Sequence, residues 1–99
     1  MPMGFINPKT VKQTHIYFSG TVQGVGFRYT SQHLAQKMNL GGWVRNLSDG
    51  RVEMLVQGNQ ESIDMFLKQI QADFKTCLRT YEINYESVNE KHNDFIIIH

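Results

Sequence analysis

The chain contains one cysteine, Cys77, among its 99 residues. A single cysteine cannot form an internal disulfide, nor can it supply the paired thiolates of a zinc site or a metal carrier. This composition agrees with a reducing compartment. The N-terminal residues also lack the continuous apolar stretch of a secretory signal. We therefore expect a cytoplasmic protein.

The chain also lacks an excess of charge of either sign. Ten lysines and arginines oppose nine aspartates and glutamates, a net charge of +1, so no broad field attracts nucleic acid or a membrane surface. No stretch approaches the roughly 20 apolar residues that span a bilayer. We expect a monomer with neither a nucleic-acid nor a membrane partner, in which any bound anion is held by a local arrangement of groups.

Only two prolines occur, both within the first 13 residues. Those residues carry no periodic hydrophobic pattern, which predicts a flexible N-terminal extension over 1–13 and a single domain over 14–99. Strands are predicted at 15–19, 43–45, 51–57, 81–85 and 95–98. One helix is predicted from Phe27 to an end at the glycines of 39–42, and a second after Asn59.

The order of these elements, β-α-β-β-α-β with a further strand at the end, predicts a fold of the α+β class. It is the ferredoxin-like split βαβ arrangement, a mostly antiparallel sheet with two helices on one face. Val52, Met54 and Val56 alternate along the third strand and should face the helices. The opposite face should be solvated, and we expect Glu53 to lie on it, with Asp49 at the hairpin tip.

The segment between the first strand and the first helix, Gly20–Arg28, is the most informative. The N-terminus of a helix presents unpaired N–H groups and the positive end of the helix dipole. Gly24 and Gly26 allow the backbone to curl its amides inward, and Arg28 can pair with two phosphate oxygens. A purely structural turn explains the two glycines equally well, but it gives no reason for the arginine. Nor does the segment fit the Walker A loop or the Gly-x-Gly-x-x-Gly pattern.

Two segments together resemble the signatures of the acylphosphatase family. The first is Val22-Gln23-Gly24-Val25-Gly26-Phe27-Arg28, and the second comprises 42–46 and 49–53. The resemblance covers 14–99 and implies a ferredoxin-like fold and hydrolysis of acyl phosphates without metal or cofactor. Inorganic phosphate, the product, should occupy the same loop and act as a competitive inhibitor. The resemblance also implies a role for each of the site residues. The residues implied to bind phosphate are Val22, Gln23, Gly24, Val25, Gly26, Phe27 and Arg28.

The same resemblance implies that Arg28 is catalytic and that Asn46 places the attacking water. Without the family resemblance, the simpler interpretation of Asn46 is a turn residue that closes a hairpin. Ala72–Cys77 departs from the family pattern, which has Gly-Pro before the fourth strand. The four histidines, His15, His33, His92 and His99, show no metal-binding spacing, and we expect them on the surface.

Two other functions fit the same order of elements. RNA-recognition domains share it, but they carry aromatic residues on the third strand for base stacking. Here that strand, 51–57, has none. A regulatory domain that binds an anion without turnover is the second alternative, and the presence of Asn46 argues for turnover.

Overall fold

A computed structural model describes residues 11–99. Residues 1–10 of the predicted extension lie outside the described residues. The elements, in chain order, are β1 (Val11–Gly20), α1 (Phe27–Lys37), β2 (Gly41–Asn46), β3 (Val52–Asn59), α2 (Gln60–Asp73), β4 (Leu78–Glu86) and β5 (Phe95–Ile97).

The five strands form one sheet in the order β4-β1-β3-β2-β5. Every neighbouring pair is antiparallel except β2 and β5, which are parallel. This confirms the ferredoxin-like α+β fold, with β5 as an additional edge strand beside β2.

The topology brings two segments of the chain together at one edge of the sheet. β1 and β2 each pair antiparallel with β3, which lies between them. They therefore run in the same direction, and their carboxyl ends lie at the same edge. Phe18 lies opposite Val52, and Val52 lies opposite Asn46. The loop after β1 and the hairpin after β2 consequently leave the sheet side by side.

Both helices pack on the same face of the sheet. α1 buries Phe27, Ser31 and Ala35. α2 buries the four apolar residues that the periodicity predicts, Ile63, Phe66, Leu67 and Ile70. Asn59 caps α2, accepting a hydrogen bond at 2.8 Å from the backbone N–H of Ser62. Such a cap satisfies one of the unpaired donors at a helix start.

Several predicted boundaries were wrong. β1 begins at Val11, so three residues assigned to the flexible extension belong to a strand, where Val11 pairs with Asn59. α1 ends at Lys37, and Asn39 takes the left-handed conformation (φ 58°) that we expected of a glycine. Gly41 instead lies in β2, where a Cβ would collide with the backbone carbonyl of His92. β4 extends from Leu78 to Glu86, longer at both ends than predicted.

The face of the sheet opposite the helices is not solvated along β3, contrary to the sequence expectation. Glu53, Leu55 and Gln57 are 5%, 7% and 3% exposed. The Glu53 carboxylate accepts from His15 Nε2 at 2.7 Å and from Arg45 Nε at 2.6 Å. The other ring nitrogen of His15 lies 3.0 Å from Glu86. His15 is thus a bridge between two carboxylates, not the isolated surface residue predicted.

These contacts change the acidity of Glu53. Burial by itself would raise the pKa of the carboxyl, but the hydrogen bonds and charges of Arg45 and His15 outweigh burial and hold the pKa below its ordinary value. A depressed pKa in the folded state means that ionised Glu53 stabilises the fold above the pKa of the unfolded chain. That contribution is lost as the pH falls below about 4.5.

We expect Glu53→Gln to lower the free energy of unfolding at pH 7 by about 1–3 kcal/mol, because the change removes a charged acceptor from three donors, His15, Arg45 and the Tyr17 hydroxyl. The deficit should shrink at pH 3.5, because the stability that ionised Glu53 contributes to the wild-type fold declines as the pH falls below about 4.5. Denaturant unfolding at both pH values measures it, with exposed Glu82→Gln as control. An equal deficit at the two pH values would contradict the ionic origin.

Candidate active site

The loop between β1 and α1 is shaped by glycine. Gly24 and Gly26 have φ of 76° and 83°, a conformation that other residues adopt only with strain. A Cβ added at either glycine would meet no described atom within 4 Å. The requirement for glycine is therefore conformational, and the space beside both α-carbons is open.

The backbone N–H groups of 23–28, in this loop and the first turn of α1, have no backbone partner among the described residues. The first helical bond runs from Thr30 N–H to the carbonyl of Gly26, at 3.0 Å, and no side chain caps α1. Unpaired N–H groups at a helix start form an anion-binding position, favoured further by the helix dipole.

Core side chains fix the loop at both ends. Val22 and Phe27 are each 1% exposed. The Phe27 ring lies 4.9 Å from that of Phe18 and 4.7 Å from that of Phe74, between ring centroids. Close packing of this kind limits how far the intervening glycines can move. The loop is therefore held in shape by the core before any ligand binds.

Arg28 is the second residue of α1 and is half-buried. Two other arginines are already paired, Arg45 with Glu53 and Arg51 with Asp49. Arg28 forms no ion pair with any residue of the described range. Its guanidinium thus retains the capacity to pair with an anion at the start of the helix.

Asn46 is the last residue of β2, and not the turn residue of the simpler interpretation. The turn follows it, closed by a 2.8 Å hydrogen bond from Leu47 N–H to the carbonyl of Arg51. The Asn46 Oδ1 atom is buried and accepts no hydrogen bond from the described residues. Buried acceptors are nearly always paired, so this atom is poised to accept from a small donor such as water.

Gln23 joins the loop to the hairpin that begins after Asn46. Its side-chain amide donates to the backbone carbonyls of Leu47 at 2.7 Å and Arg51 at 2.9 Å. The sequence gives no sign of this link, because both acceptors are backbone atoms that any residue supplies. It fixes the separation between the two segments that the sheet topology brings together.

The residues that the sequence predicts to bind phosphate differ in where their side chains lie. The side chains of Val22 and Phe27 lie in the core and that of Gln23 bonds to the hairpin, so these three could offer a ligand only their backbone N–H groups. Gly24, Val25 and Gly26 are exposed. Arg28 and Asn46 remain the two predicted residues whose side chains could act at the site.

In the described range, no cluster of three or more histidine, cysteine, aspartate or glutamate side chains is arranged to hold a metal ion. Cys77 is half-buried beside the end of α2. None of the helices in residues 11–99 has the length and apolar character needed to cross a membrane.

Comparison with known proteins points to one family. A family model described as acylphosphatase matches residues 14–97. The acylphosphatase of Geobacillus kaustophilus is 53% identical over 62 residues, which is 63% of this chain and 66% of that protein. The chain therefore spans just under two thirds of that relative. The acylphosphatase of Staphylococcus haemolyticus is 39% identical over 86% of this chain and 97% of that protein.

A solved structure agrees with these relatives. The crystal structure of acylphosphatase from Bacillus subtilis superposes with a TM-score of 0.82 at 36% sequence identity. The match covers 89% of this chain and 99% of that one.

Proposed function

This chain belongs to the acylphosphatase family, and on that premise we propose that it hydrolyses acyl phosphates to a carboxylate and inorganic phosphate. The observation that carries the proposal is the buried, unpaired Oδ1 of Asn46. Asn46 lies at the end of β2, next to the point where the loop of unpaired amides leaves β1. Together they provide a place for a phosphate and a separate acceptor for a water.

The proposed reaction requires few catalytic groups from the protein. An acyl phosphate leaves as a carboxylate, a weak base, so no strong general acid is needed. The transition state for phosphoryl transfer is loose, and its charge lies on the equatorial oxygens. Positioning and electrostatic stabilisation are therefore the main tasks.

In our proposal the amides of 23–28 and the guanidinium of Arg28 hold the equatorial oxygens. The amides are fixed dipoles whose loop is held by Val22 and Phe27, so they need little reorganisation as charge develops. Arg28 adds the one full positive charge and a planar pair of donors.

Asn46 completes the proposed site by orienting the attacking water. Its Oδ1 accepts from the water while the amide remains neutral, whereas a carboxylate at this place would repel the phosphate. The water then attacks phosphorus in line with the bond to the carboxylate. The P–O bond to the acyl group breaks, the carboxylate departs with the electron pair, and the water protons pass to solvent and phosphate.

A second candidate, passive anion binding, would need the loop and Arg28 but not Asn46. The unpaired Oδ1 favours turnover over this candidate. The acyl group is not specified by the loop, since backbone amides recognise phosphate alone. A cytoplasmic location and a monomeric state stay predictions.

The direct test is hydrolysis of benzoyl phosphate, followed by its absorbance. We expect turnover well above the spontaneous rate, and we expect it to survive excess EDTA, because the residues assigned to the site are amides, an arginine and an asparagine and include no metal-ligand set. Absence of turnover in a folded, phosphate-binding protein would favour the passive anion binder. Turnover abolished by EDTA and restored by Mg²⁺ would overturn the metal-independent mechanism.

Inorganic phosphate should inhibit competitively and raise the melting temperature. A ligand that binds only the folded chain adds about 2.7 kcal/mol of stability at 100 times its dissociation constant. Thermal melts across a phosphate series, with sulfate and chloride at matched ionic strength, measure this. An unmoved melting curve at saturating phosphate would contradict a preformed loop.

A further inference from the structure

Gln23 occupies an unusual place in the proposed site, because it lies in the loop but its side chain bonds to the hairpin. The two carbonyls it contacts already accept backbone hydrogen bonds. Arg51 O accepts from Leu47 N–H at 2.8 Å, and Leu47 O accepts from Gly50 N–H at 3.2 Å. Gln23 Nε2 is the second donor to each.

A primary amide is well suited to this position. Its nitrogen carries two hydrogens, and a carbonyl oxygen has two lone pairs. One Gln23 side chain thus supplies two donors to two carbonyls that each have one acceptor position left. A carboxylate at residue 23 would direct only lone pairs at the same two carbonyls, and a thioether would offer no donor.

The contact bears directly on Asn46, which immediately precedes Leu47. Gly24, whose positive φ begins the curl of the loop, immediately follows Gln23. The Gln23 side chain therefore links the loop whose amides are proposed to hold the phosphate to Leu47, the neighbour of the proposed water-orienting Asn46. No other hydrogen bond that a described side chain makes joins 22–28 to 46–51.

We propose that Gln23 is a positioning residue that sets the distance and angle between the water on Asn46 and the phosphate on the loop. This inference rests on the proposed function and adds to it a residue that acts through another. Its side chain does not contact the reacting atoms. Loss of the Gln23 side chain should therefore lower kcat, and it should do so only when Asn46 is present to orient the water.

The test is a double-mutant cycle between Gln23→Met and Asn46→Ala, with benzoyl phosphate as substrate and inorganic phosphate as the binding probe. Methionine nearly preserves the shape and removes both donors. Alone, Gln23→Met should lower kcat by about 10–10²-fold, since small misplacements of reacting groups carry penalties of this order. Phosphate affinity should change less than about threefold. In the Asn46→Ala background the same substitution should lower kcat by less than about threefold, because the oriented water is already lost.

Gln32→Met is the matched control. Gln32 is a half-buried glutamine of α1 whose side chain also donates to a backbone carbonyl, that of Phe95, at 3.3 Å. We expect it to alter melting temperature without changing kcat per folded molecule. All rates are taken per folded molecule from the melting curves.

Gln23→Glu serves as a second variant if Gln23→Met folds poorly. At neutral pH the carboxylate of this variant should lower kcat at least as much as Gln23→Met does. At lower pH the carboxyl protonates and regains one donor, so the rate of the variant relative to wild type should recover.

Three results would overturn the inference. They are an unchanged kcat in folded Gln23→Met, a loss that is equally large in the Asn46→Ala background, and a loss of phosphate affinity that accounts for the rate. Full turnover in Asn46→Ala would instead refute the proposed function itself. The first three leave that function standing, so the two failures are distinguishable.

Discussion

Asn46→Ala is expected to lower kcat by about 10²–10³-fold while leaving the affinity for inorganic phosphate nearly unchanged. The magnitude is that typical of losing one positioned polar group at a reacting centre. Affinity should survive because, in the proposed site, the amides of 23–28 and Arg28 hold the phosphate without Asn46. The measurements are kcat with benzoyl phosphate, phosphate affinity and melting temperature on the same preparation. Asn84→Ala, at an exposed position on β4, is the matched control.

Asn46→Asp distinguishes the water-orienting role from a structural one. Aspartate nearly preserves size and can still accept from water, but its charge opposes a dianionic ligand. We expect both rate and phosphate affinity to fall, and to recover partly at low pH as the carboxyl protonates. If Asn46 served only the hairpin, both variants would melt earlier and keep their activity per folded molecule.

Arg28→Ala is expected to impair both phosphate binding and turnover. The guanidinium is the one full positive charge assigned to the site, and removing a charge-assisted partner there should raise the barrier by about 2–4 kcal/mol. That range corresponds to about 30–10³-fold in kcat/KM. Parallel titrations with phosphate and rate measurements separate the two effects.

Arg28→Lys tests whether geometry matters as well as charge. Lysine supplies a point charge and lacks the planar pair of donors. We therefore expect poor rescue, with phosphate affinity restored more than rate. Near wild-type efficiency in this variant would show that the planar fork is unimportant.

That the loop after β1 and the end of β2 lie side by side was predictable, because it depends on topology. Once the periodicities give a split βαβ order, β1 and β2 must run in parallel on either side of β3, and the loop after β1 must meet the end of β2. The two segments of the family resemblance therefore meet although 17 positions separate Arg28 from Asn46. What the sequence could not give is the contact that joins them, since Gln23 bonds to carbonyls that every residue carries.

The buried carboxylate network was missed for a similar reason. Alternation along 52–57 correctly places Val52, Met54 and Val56 on the helix face. It says nothing of what covers the other face. Glu53 is buried there by the side chains of neighbouring strands, among them His15 and Arg45. Burial of this kind depends on cross-strand register, which becomes known only once the sheet is assembled.

The most direct test of the account is the fate of oxygen in labelled water. Benzoyl phosphate is hydrolysed to completion in oxygen-18 water, and both products are analysed by mass spectrometry, with unlabelled phosphate incubated alongside as the exchange control. Attack on phosphorus, with cleavage of the P–O bond, predicts one labelled oxygen in inorganic phosphate and none in benzoate. Label in benzoate would mean that water attacks the acyl carbon, and it would contradict a site built to hold phosphate and direct water at it.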